Sequence, residues 1–206
     1  REFDRAVARD QPNWRRADPA ELELWVVEYQ RGKLVAGMRI TDIQMRQHHG
    51  RVEERSGALR PTVAAAMVQL AGQPGGILLD PCCGSGTILT EAIAVGWTAR
   101  GQDIDPAAVR IAQRNARAAE INVGDARRLD LPDGSVAASV SNLPFGTQYD
   151  VPEPMDEWLR AVLAELTRVT RPGGRIVLLA PDIPRTVLPP GVRPAGRHQP
   201  RPLGPN

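Results

Sequence analysis

The hydrophobic positions between residues 60 and 180 follow two alternating patterns. Strands are predicted at residues 76–80, 98–105, 121–126, 136–140 and 175–180, and the first of these is a short apolar run that ends in an acid. Apolar positions with helical spacing predict helices at residues 61–71, 87–95, 107–119 and 155–170. Strands that alternate with helices in this way indicate an α/β fold, with a mostly parallel twisted sheet, right-handed crossovers and helices on both faces.

The N-terminal part of the chain has a different pattern. Residues 1–20 are polar and arginine-rich, which predicts a lightly ordered lead-in. Residues 21–29 and 34–40 alternate well enough for two strands around a turn, which predicts a β-hairpin. We therefore predict a lead-in and hairpin extension at residues 1–58 and a main domain at residues 59–206. Its proline- and arginine-rich tail, from residue 181 onward, is expected to be extended or poorly packed.

Composition supports a folded chain with one main domain. The sequence has 206 residues, 42% of them hydrophobic, and a formal net charge of +2. These values exclude a chain that is disordered throughout. All of the 26 basic residues except Lys33 are arginine, and we attribute this bias to genome composition rather than to a nucleic-acid surface.

The cysteines and the remaining composition bear on compartment and partners. Cys82 and Cys83 are adjacent, cannot easily bond to each other and are the only cysteines, which is typical of a reducing cytoplasm. They are too few for a zinc site, so no metal is expected. Neither a transmembrane run nor a signal peptide is recognisable, so we expect a cytoplasmic protein without a membrane partner. The chain begins at Arg1 without a methionine, and we expect a fragment of something longer.

The stretch from residue 80 to residue 87 joins a predicted strand to a predicted helix. Gly84 and Gly86 allow the backbone to approach a ligand closely, and Asp80 can hold a cation such as an α-amino group. The loop lacks the Gly-Lys-Ser/Thr of a P-loop and the spacing of the dinucleotide motif. It therefore predicts a site for a nucleotide-like ligand at a helix N-terminus, and a simple glycine turn is the alternative.

Other polar residues fall at the ends of the following strands. Asp103, Asp125 and Asn142 each come at or just after a predicted strand. Because open α/β sheets bind ligands outside the carboxyl ends of their strands, these side chains and Asp80 are expected to share one crevice.

Five motifs in this order resemble the class I S-adenosylmethionine-dependent methyltransferases. More closely, residues 20–180 resemble RNA guanosine-N2 methyltransferases that carry a THUMP domain ahead of the catalytic domain. The motifs are Leu59-Arg60-Pro61-Thr62, Asp80-Pro81-Cys82-Cys83-Gly84-Ser85-Gly86-Thr87, Gly101-Gln102-Asp103-Ile104-Asp105-Pro106, Gly124-Asp125-Ala126 and Asn142-Leu143-Pro144-Phe145-Gly146. The resemblance implies a Rossmann-like fold, S-adenosyl-L-methionine as cofactor and a catalytic domain at residues 59–206.

The resemblance also implies a set of cofactor-binding residues. The residues that surround the methionine part are Asp80, Cys82, Gly84, Ser85, Gly86 and Thr87, with Arg60 and Thr62 lining its end. Those that contact the nucleoside are Asp103 and Ile104 at the ribose and Asp125 and Ala126 at the adenine. The alternatives are that Asp103 or Asp105 caps a helix, that Asp125 is a surface acid, and that Thr62 caps its own helix.

The segment Asn142-Leu143-Pro144-Phe145 matches the pattern that such enzymes use to methylate exocyclic amines. An aryl amine is a poor nucleophile because its lone pair is delocalised into the ring. The Asn142 side-chain oxygen and the Leu143 carbonyl can accept both amine hydrogens and draw the nitrogen towards tetrahedral geometry. Pro144 stiffens the turn, and Phe145 offers a face on which a base can stack. A plain turn is the alternative.

The resemblance implies guanine N2 of structured RNA, and tRNA above all, as the substrate. Adenine N6 in DNA or RNA, or a protein glutamine amide, is the second enzymatic reading, and an RNA-binding module with a vestigial fold is the third. The chain departs from the family in having Cys82 in place of an aromatic residue, Leu143 in place of a proline and a short link after Glu120. No THUMP domain is recognisable before residue 20, so the upstream RNA-binding domain is expected to be missing from this fragment.

Overall fold

The computed structural model describes residues 5, 8–13, 23–39, 58–144, 154–180 and 183–196. They belong to two compact units, one within residues 1–49 and the other within residues 50–206. In the first unit, strands β1 (Glu23–Gln30) and β2 (Lys33–Arg39) form an antiparallel hairpin, as predicted. Gly32 takes a φ of 74° in its turn, a conformation that favours glycine.

The second unit is built on a parallel sheet of five strands. The strands are β3 (Ile77–Asp80), β4 (Thr98–Asp103), β5 (Glu120–Val123), β6 (Val136–Asn142) and β7 (Thr170–Leu179). Their order is β5-β4-β3-β6-β7, and all neighbouring pairs are parallel. From β3 the chain adds β4 and β5 on one side of the sheet, and then β6 and β7 on the other side. The strand order therefore reverses between β3 and β6, which is where ligands bind in open sheets of this kind.

Helices cover both faces of this sheet. They are α1 (Pro61–Leu70), α2 (Thr87–Ala94), α3 (Pro106–Asn115) and α4 (Met155–Val169). The first three contribute to one buried cluster with Leu78, whereas α4 forms a second cluster with Leu79. Because Leu78 and Leu79 are successive residues of β3, they point to opposite faces of the sheet. The prediction of a Rossmann-like, mostly parallel sheet with helices on both faces, together with the separate hairpin, is confirmed.

Several element boundaries differ from the predicted ones. Helix α3 ends at Asn115 instead of residue 119, because Ala116 leaves the helical region at φ −113° and ψ 63°. Strand β7 begins at Thr170 rather than at residue 175. Thr170 lies opposite Val136 but Arg175 lies opposite Ala138, so residues 171–174 form an insertion in the pairing.

The tail is packed where the structure describes it. A short 3-10 helix spans Arg185–Val187, and Val187 is buried in the α4 cluster at 2% exposure. The expectation of a poorly packed tail is therefore wrong at this point, because Val187 is buried and Ile183 and Leu188 pack against the same cluster. Among the described residues, no helix has both the length and the apolar character needed to cross a bilayer.

Candidate active site

Asp80 lies at the carboxyl end of β3, beside the point where the strand order reverses. Its side chain is buried at 1% exposure, and its Oδ1 accepts hydrogen bonds from the Ser141 hydroxyl at 2.7 Å and the Cys82 amide at 3.2 Å. Burial raises the pKa of this carboxyl to about 7, an effect that the two hydrogen bonds oppose and the nearby Asp103 carboxylate reinforces. Asp80 is thus an acid that titrates near neutrality unless a cation stabilises its charge.

The loop after β3 is folded back on itself by backbone hydrogen bonds. Gly86 donates to the Cys83 carbonyl at 2.7 Å, and Cys83 donates to the Gln102 carbonyl of β4 at 2.9 Å. Gly86 has a φ of 81°, and a Cβ there would lie 3.1 Å from the Cα of Ala112 in α3. The loop therefore packs tightly against α3 at this glycine.

Gly84 differs from Gly86 in its surroundings. It also has a positive φ, 52°, but a Cβ at this position would meet no described atom within 4 Å. The space beside Gly84 is therefore open, as the close approach of a ligand requires.

Asp103, at the end of β4, connects two loops of the site. Its Oδ2 accepts from the Gly84 amide at 2.8 Å, and its Oδ1 accepts from the Asp105 amide at 3.0 Å. The helix cap is made by Asp105, whose Oδ1 accepts from the Ala107 amide at 2.8 Å. The capping alternative is therefore confirmed for Asp105 and wrong for Asp103. Ile104, between them, is 69% exposed.

Ser85, in the loop, and Thr87, the first residue of α2, are both buried. Their hydroxyl oxygens lie 3.4 Å apart, and the Ser85 carbonyl accepts from the side-chain amide of Asn115 at 2.9 Å. Asn115 is the last residue of α3 and is itself buried. Asn115 was not among the predicted site residues, although a polar residue on the apolar face of an amphipathic helix was a usable signal.

Asp125 follows β5 and is bound by a neighbouring arginine. Its two oxygens accept from the guanidinium of Arg127 at 2.6–3.0 Å, and Oδ1 also accepts from the Arg127 amide at 2.9 Å. The hydrogen bonds from Arg127 lower the pKa of Asp125. Ala126 is buried with the α4 cluster. The pairing of Asp125 with Arg127 was not predicted from the sequence.

Asn142 is the last residue of β6, and β6 lies beside β3, the strand that ends at Asp80. Its Oδ1 is buried and has no hydrogen-bond partner among the described residues. The following residue, Leu143, is buried at 2% exposure, and its amide donates to the Leu179 carbonyl of β7 at 3.0 Å. Pro144 is half-buried, and Phe145 lies outside the described residues. The orphaned oxygen thus belongs to the side chain of a residue whose neighbour, Leu143, is held in place by β7 and the core.

Of the remaining predicted residues, Arg60 and Thr62 are not connected to this group by any side-chain hydrogen bond within the described ranges, whereas the Cys82 amide donates to Asp80 as described above. Arg60 and Thr62 are exposed at the start of α1. Arg60 is the N-cap but makes no side-chain cap, and Thr62 lies inside the helix, so the capping alternative for Thr62 is wrong. Cys82 is half-buried and Cys83 is buried, and neither forms a disulfide. Burial raises the pKa of both thiols. Within the described ranges, no group of three or more His, Cys, Asp or Glu side chains could hold a metal ion.

The chain belongs to the RMKL-like methyltransferase domain family, whose model matches residues 48–185, more than half of its length. Its fold is similar to the crystal structure of TrmN from Thermus thermophilus, with a TM-score of 0.70 and 25% sequence identity. That similarity covers 91% of this chain and 58% of the other.

Two curated relatives show the same similarity in sequence. The chain is 37% identical over 135 residues to the U6 snRNA (guanine-N(2))-methyltransferase THUMPD2 of Bos taurus, which covers 61% of this chain and 26% of that protein. It is 32% identical over 170 residues to the tRNA (guanine(6)-N2)-methyltransferase of Thermus thermophilus, which covers 75% of this chain and 49% of that protein. The chain therefore spans about half or less of the length of these relatives.

Proposed function

We propose that this chain transfers a methyl group from S-adenosylmethionine to an exocyclic amine, namely guanine N2 of a structured RNA, and that this RNA is tRNA. The observation that carries the proposal is the buried Oδ1 of Asn142, which has no hydrogen-bond partner among the described residues. A buried amide oxygen that lacks a donor is costly in a folded protein. Such an atom beside the reversal point of the sheet is supporting evidence for a donor that arrives with the substrate.

The site fits the cofactor at Asp80, Gly84 and Asp103. The buried carboxyl of Asp80 is suited to the cationic α-amino group, and the space beside Gly84 admits the ligand. A carboxylate has about four acceptor positions, and described backbone amides occupy two of those on Asp103, one on each oxygen. The other two are available for the two ribose hydroxyls. When bound, S-adenosylmethionine supplies an electrophilic methyl group on a sulfonium centre.

The other assignments follow the family pattern. Asp125 takes the adenine amino group, for which it has to share its carboxylate with Arg127. The remaining contacts are assigned to Cys82, Ser85, Gly86 and Thr87 in the loop, Ile104 and Ala126 at the nucleoside, and Arg60 and Thr62 at the methionine end.

The chain's own contribution to the reaction is positioning. Oδ1 of Asn142 accepts one hydrogen of the target amine and the Leu143 carbonyl accepts the other, which makes the nitrogen lone pair available for in-line attack. The backbone at Leu143 is held in position for this role, because the Leu143 amide donates to the Leu179 carbonyl at 3.0 Å and the Leu143 side chain is buried. Phe145 provides a stacking face for the base. These acceptors are preorganised, so they cost little reorganisation during the reaction.

The assignment to tRNA rests on the relatives. The match to the Thermus thermophilus tRNA methyltransferase covers 75% of this chain, against 61% for the U6 snRNA enzyme. Both of those proteins are named as guanine-N2 methyltransferases. We also propose a cytoplasmic location, which the two free, adjacent cysteines support.

A methyl-transfer assay tests the proposed function. The protein is incubated with S-adenosylmethionine labelled in the methyl group and, separately, with bulk tRNA, U6 snRNA, bulk DNA and a protein extract, after which the products are hydrolysed and separated. We expect N2-methylguanosine from tRNA. Label in U6 snRNA alone would replace tRNA as the substrate, and label in adenine or glutamine would overturn the guanine assignment. Cofactor binding without transfer to any of them would favour a vestigial RNA-binding module.

A further inference from the structure

Ser141 lies just before the segment Asn142-Leu143-Pro144-Phe145 and contacts Asp80, a contact that this motif does not predict. Its hydroxyl donates to Oδ1 of Asp80 over 2.7 Å, although the two residues are 61 positions apart. Ser141 is fully buried, at 0% exposure, and Asp80 is buried at 1%. The bond therefore connects β6 to β3 across the point where the strand order reverses, one residue before Asn142.

We propose that Ser141 is a positioning residue for the cofactor site: its hydroxyl fixes the buried carboxylate of Asp80 and leaves the second oxygen for a cationic group of the ligand. The proposal rests on the proposed function, because the ligand's α-amino group is that cation. Oδ1 already accepts from Ser141 and from the Cys82 amide. Among the described residues, no donor reaches Oδ2, so this oxygen has capacity for a charged donor.

The groups around Asp80 show why one hydroxyl matters. The carboxyl is desolvated, and the Asp103 carboxylate also disfavours its charge. The other titratable neighbours are the thiols of Cys82 and Cys83, whose raised pKa values keep them neutral. The hydrogen bond from Ser141 is the largest effect that lowers the pKa of Asp80, ahead of the bond from the Cys82 amide.

The same strand offers a matched control. Ser139 is also buried at 0% exposure, and its hydroxyl pairs with the hydroxyl of Thr170 at 2.8 Å. Replacing Ser139 or Ser141 by alanine removes one buried hydroxyl from β6 in each case. Only the change at Ser141 removes a donor from Asp80.

The test measures the ligand-free and the ligand-bound protein. The pKa of Asp80 is measured by carbon NMR of its carboxyl group without ligand, and the affinity for S-adenosylhomocysteine is measured by calorimetry between pH 6 and pH 9. We expect Ser141→Ala to raise the pKa of Asp80 and to weaken binding about 10-fold at pH 7, with a smaller loss at pH 9. Ser139→Ala should match the wild type, and Ser141→Thr, which keeps a hydroxyl, should restore both values.

If Ser141→Ala does not fold, Ser141→Cys replaces it with the same expectation, since a thiol is only a weak donor. A wild-type protein that fails to bind S-adenosylhomocysteine overturns the proposed function. A wild type that binds, with Ser141→Ala indistinguishable from Ser139→Ala in both measurements, overturns the role of Ser141 alone.

Discussion

Gly84 donates its backbone N–H to Oδ2 of Asp103 over 2.8 Å, and this bond ties the loop after β3 to the end of β4. The Asp103 carboxylate therefore has two tasks in this account, holding the loop and accepting the ribose hydroxyls. We expect Asp103→Ala to weaken S-adenosylhomocysteine binding by at least 10-fold, because both tasks are lost. Calorimetry measures the change.

Asp105 provides the control for this prediction. Its carboxylate caps α3 by accepting from the Ala107 amide. Asp105→Ala should cost about 0.5–2 kcal/mol of folding free energy and leave affinity for the ligand nearly unchanged. Equal affinity for the wild type and Asp103→Ala would contradict the ribose assignment.

The two glycines of the loop should respond differently to alanine. Gly86→Ala forces a side chain into a φ of 81° and against the backbone of Ala112 at 3.1 Å, so we expect a loss of stability beyond the ~1–3 kcal/mol of the strain alone. Gly84→Ala has only the backbone strain, because the space beside it is open. Because we propose that the ligand occupies this space, we expect Gly84→Ala to weaken ligand affinity more than it lowers the free energy of unfolding. Denaturant unfolding and calorimetry on both variants separate the effects, and the opposite ranking would count against the assignment.

The stability of the folded protein should depend on pH because of Asp80. Its pKa is raised from 3.8 to about 7 in the folded protein, so the folded state holds a proton that the unfolded state has lost. The stability contributed by Asp80 is therefore present below pH 4 and is lost as the pH rises towards 7. Asp80→Asn removes this titration, and we expect its stability to fall less than that of the wild type over this range in unfolding curves without ligand.

The same acid should make ligand affinity depend on pH. A cationic α-amino group favours the ionised form of Asp80, so affinity for S-adenosylhomocysteine should rise as the pH passes through about 7. Titration of the ligand itself affects the wild type and Asp80→Asn alike, so the difference between their profiles isolates Asp80. Parallel profiles for the two proteins would show that Asp80 does not bind the cation.

Patterns in the sequence were sufficient to predict how strands and helices follow one another along the chain. They also predicted the polar residues at the strand ends. The reason is local: Asp80 and Asn142 end strands that are rich in apolar residues, Asp103 ends a strand that follows an apolar-periodic helix, and a parallel sheet brings such ends together. The capping role of Asp105 could also be predicted, because proline at the next position marks a helix start.

Contacts between distant residues could not be predicted in the same way. The Ser141–Asp80 bond spans 61 positions, and a serine inside an apolar strand has no pattern that identifies its partner. The burial of Val187 depends on the surface of α4, which no local feature of the tail encodes. The Asp125–Arg127 pair is local, but alternate residues at a strand end do not by themselves predict a contact.

Binding to RNA should be weak for this chain alone. Affinity for nucleic acid depends on phosphate neutralisation and falls steeply with salt, and a net charge of +2 provides little of it. We expect gel shifts with bulk tRNA at low salt that are lost at physiological salt. The full-length Thermus thermophilus tRNA methyltransferase, of which this chain matches only 49%, serves as the comparison and should keep its affinity. If both proteins bind alike at physiological salt, this chain has RNA affinity of its own and the expectation of weak binding is wrong.

Replacing Asn142 tests whether the orphaned oxygen at the end of β6 binds the amine that is methylated. Asn142→Ala is compared with the wild type in two measurements, calorimetric binding of S-adenosylhomocysteine and single-turnover methyl transfer to tRNA. We expect binding to be retained within about 2-fold while the transfer rate falls on the order of 10²–10³-fold, as when one preorganised hydrogen-bond partner of a transition state is removed. A variant that transfers the methyl group at the wild-type rate would overturn this role and leave Asn142 as part of a turn.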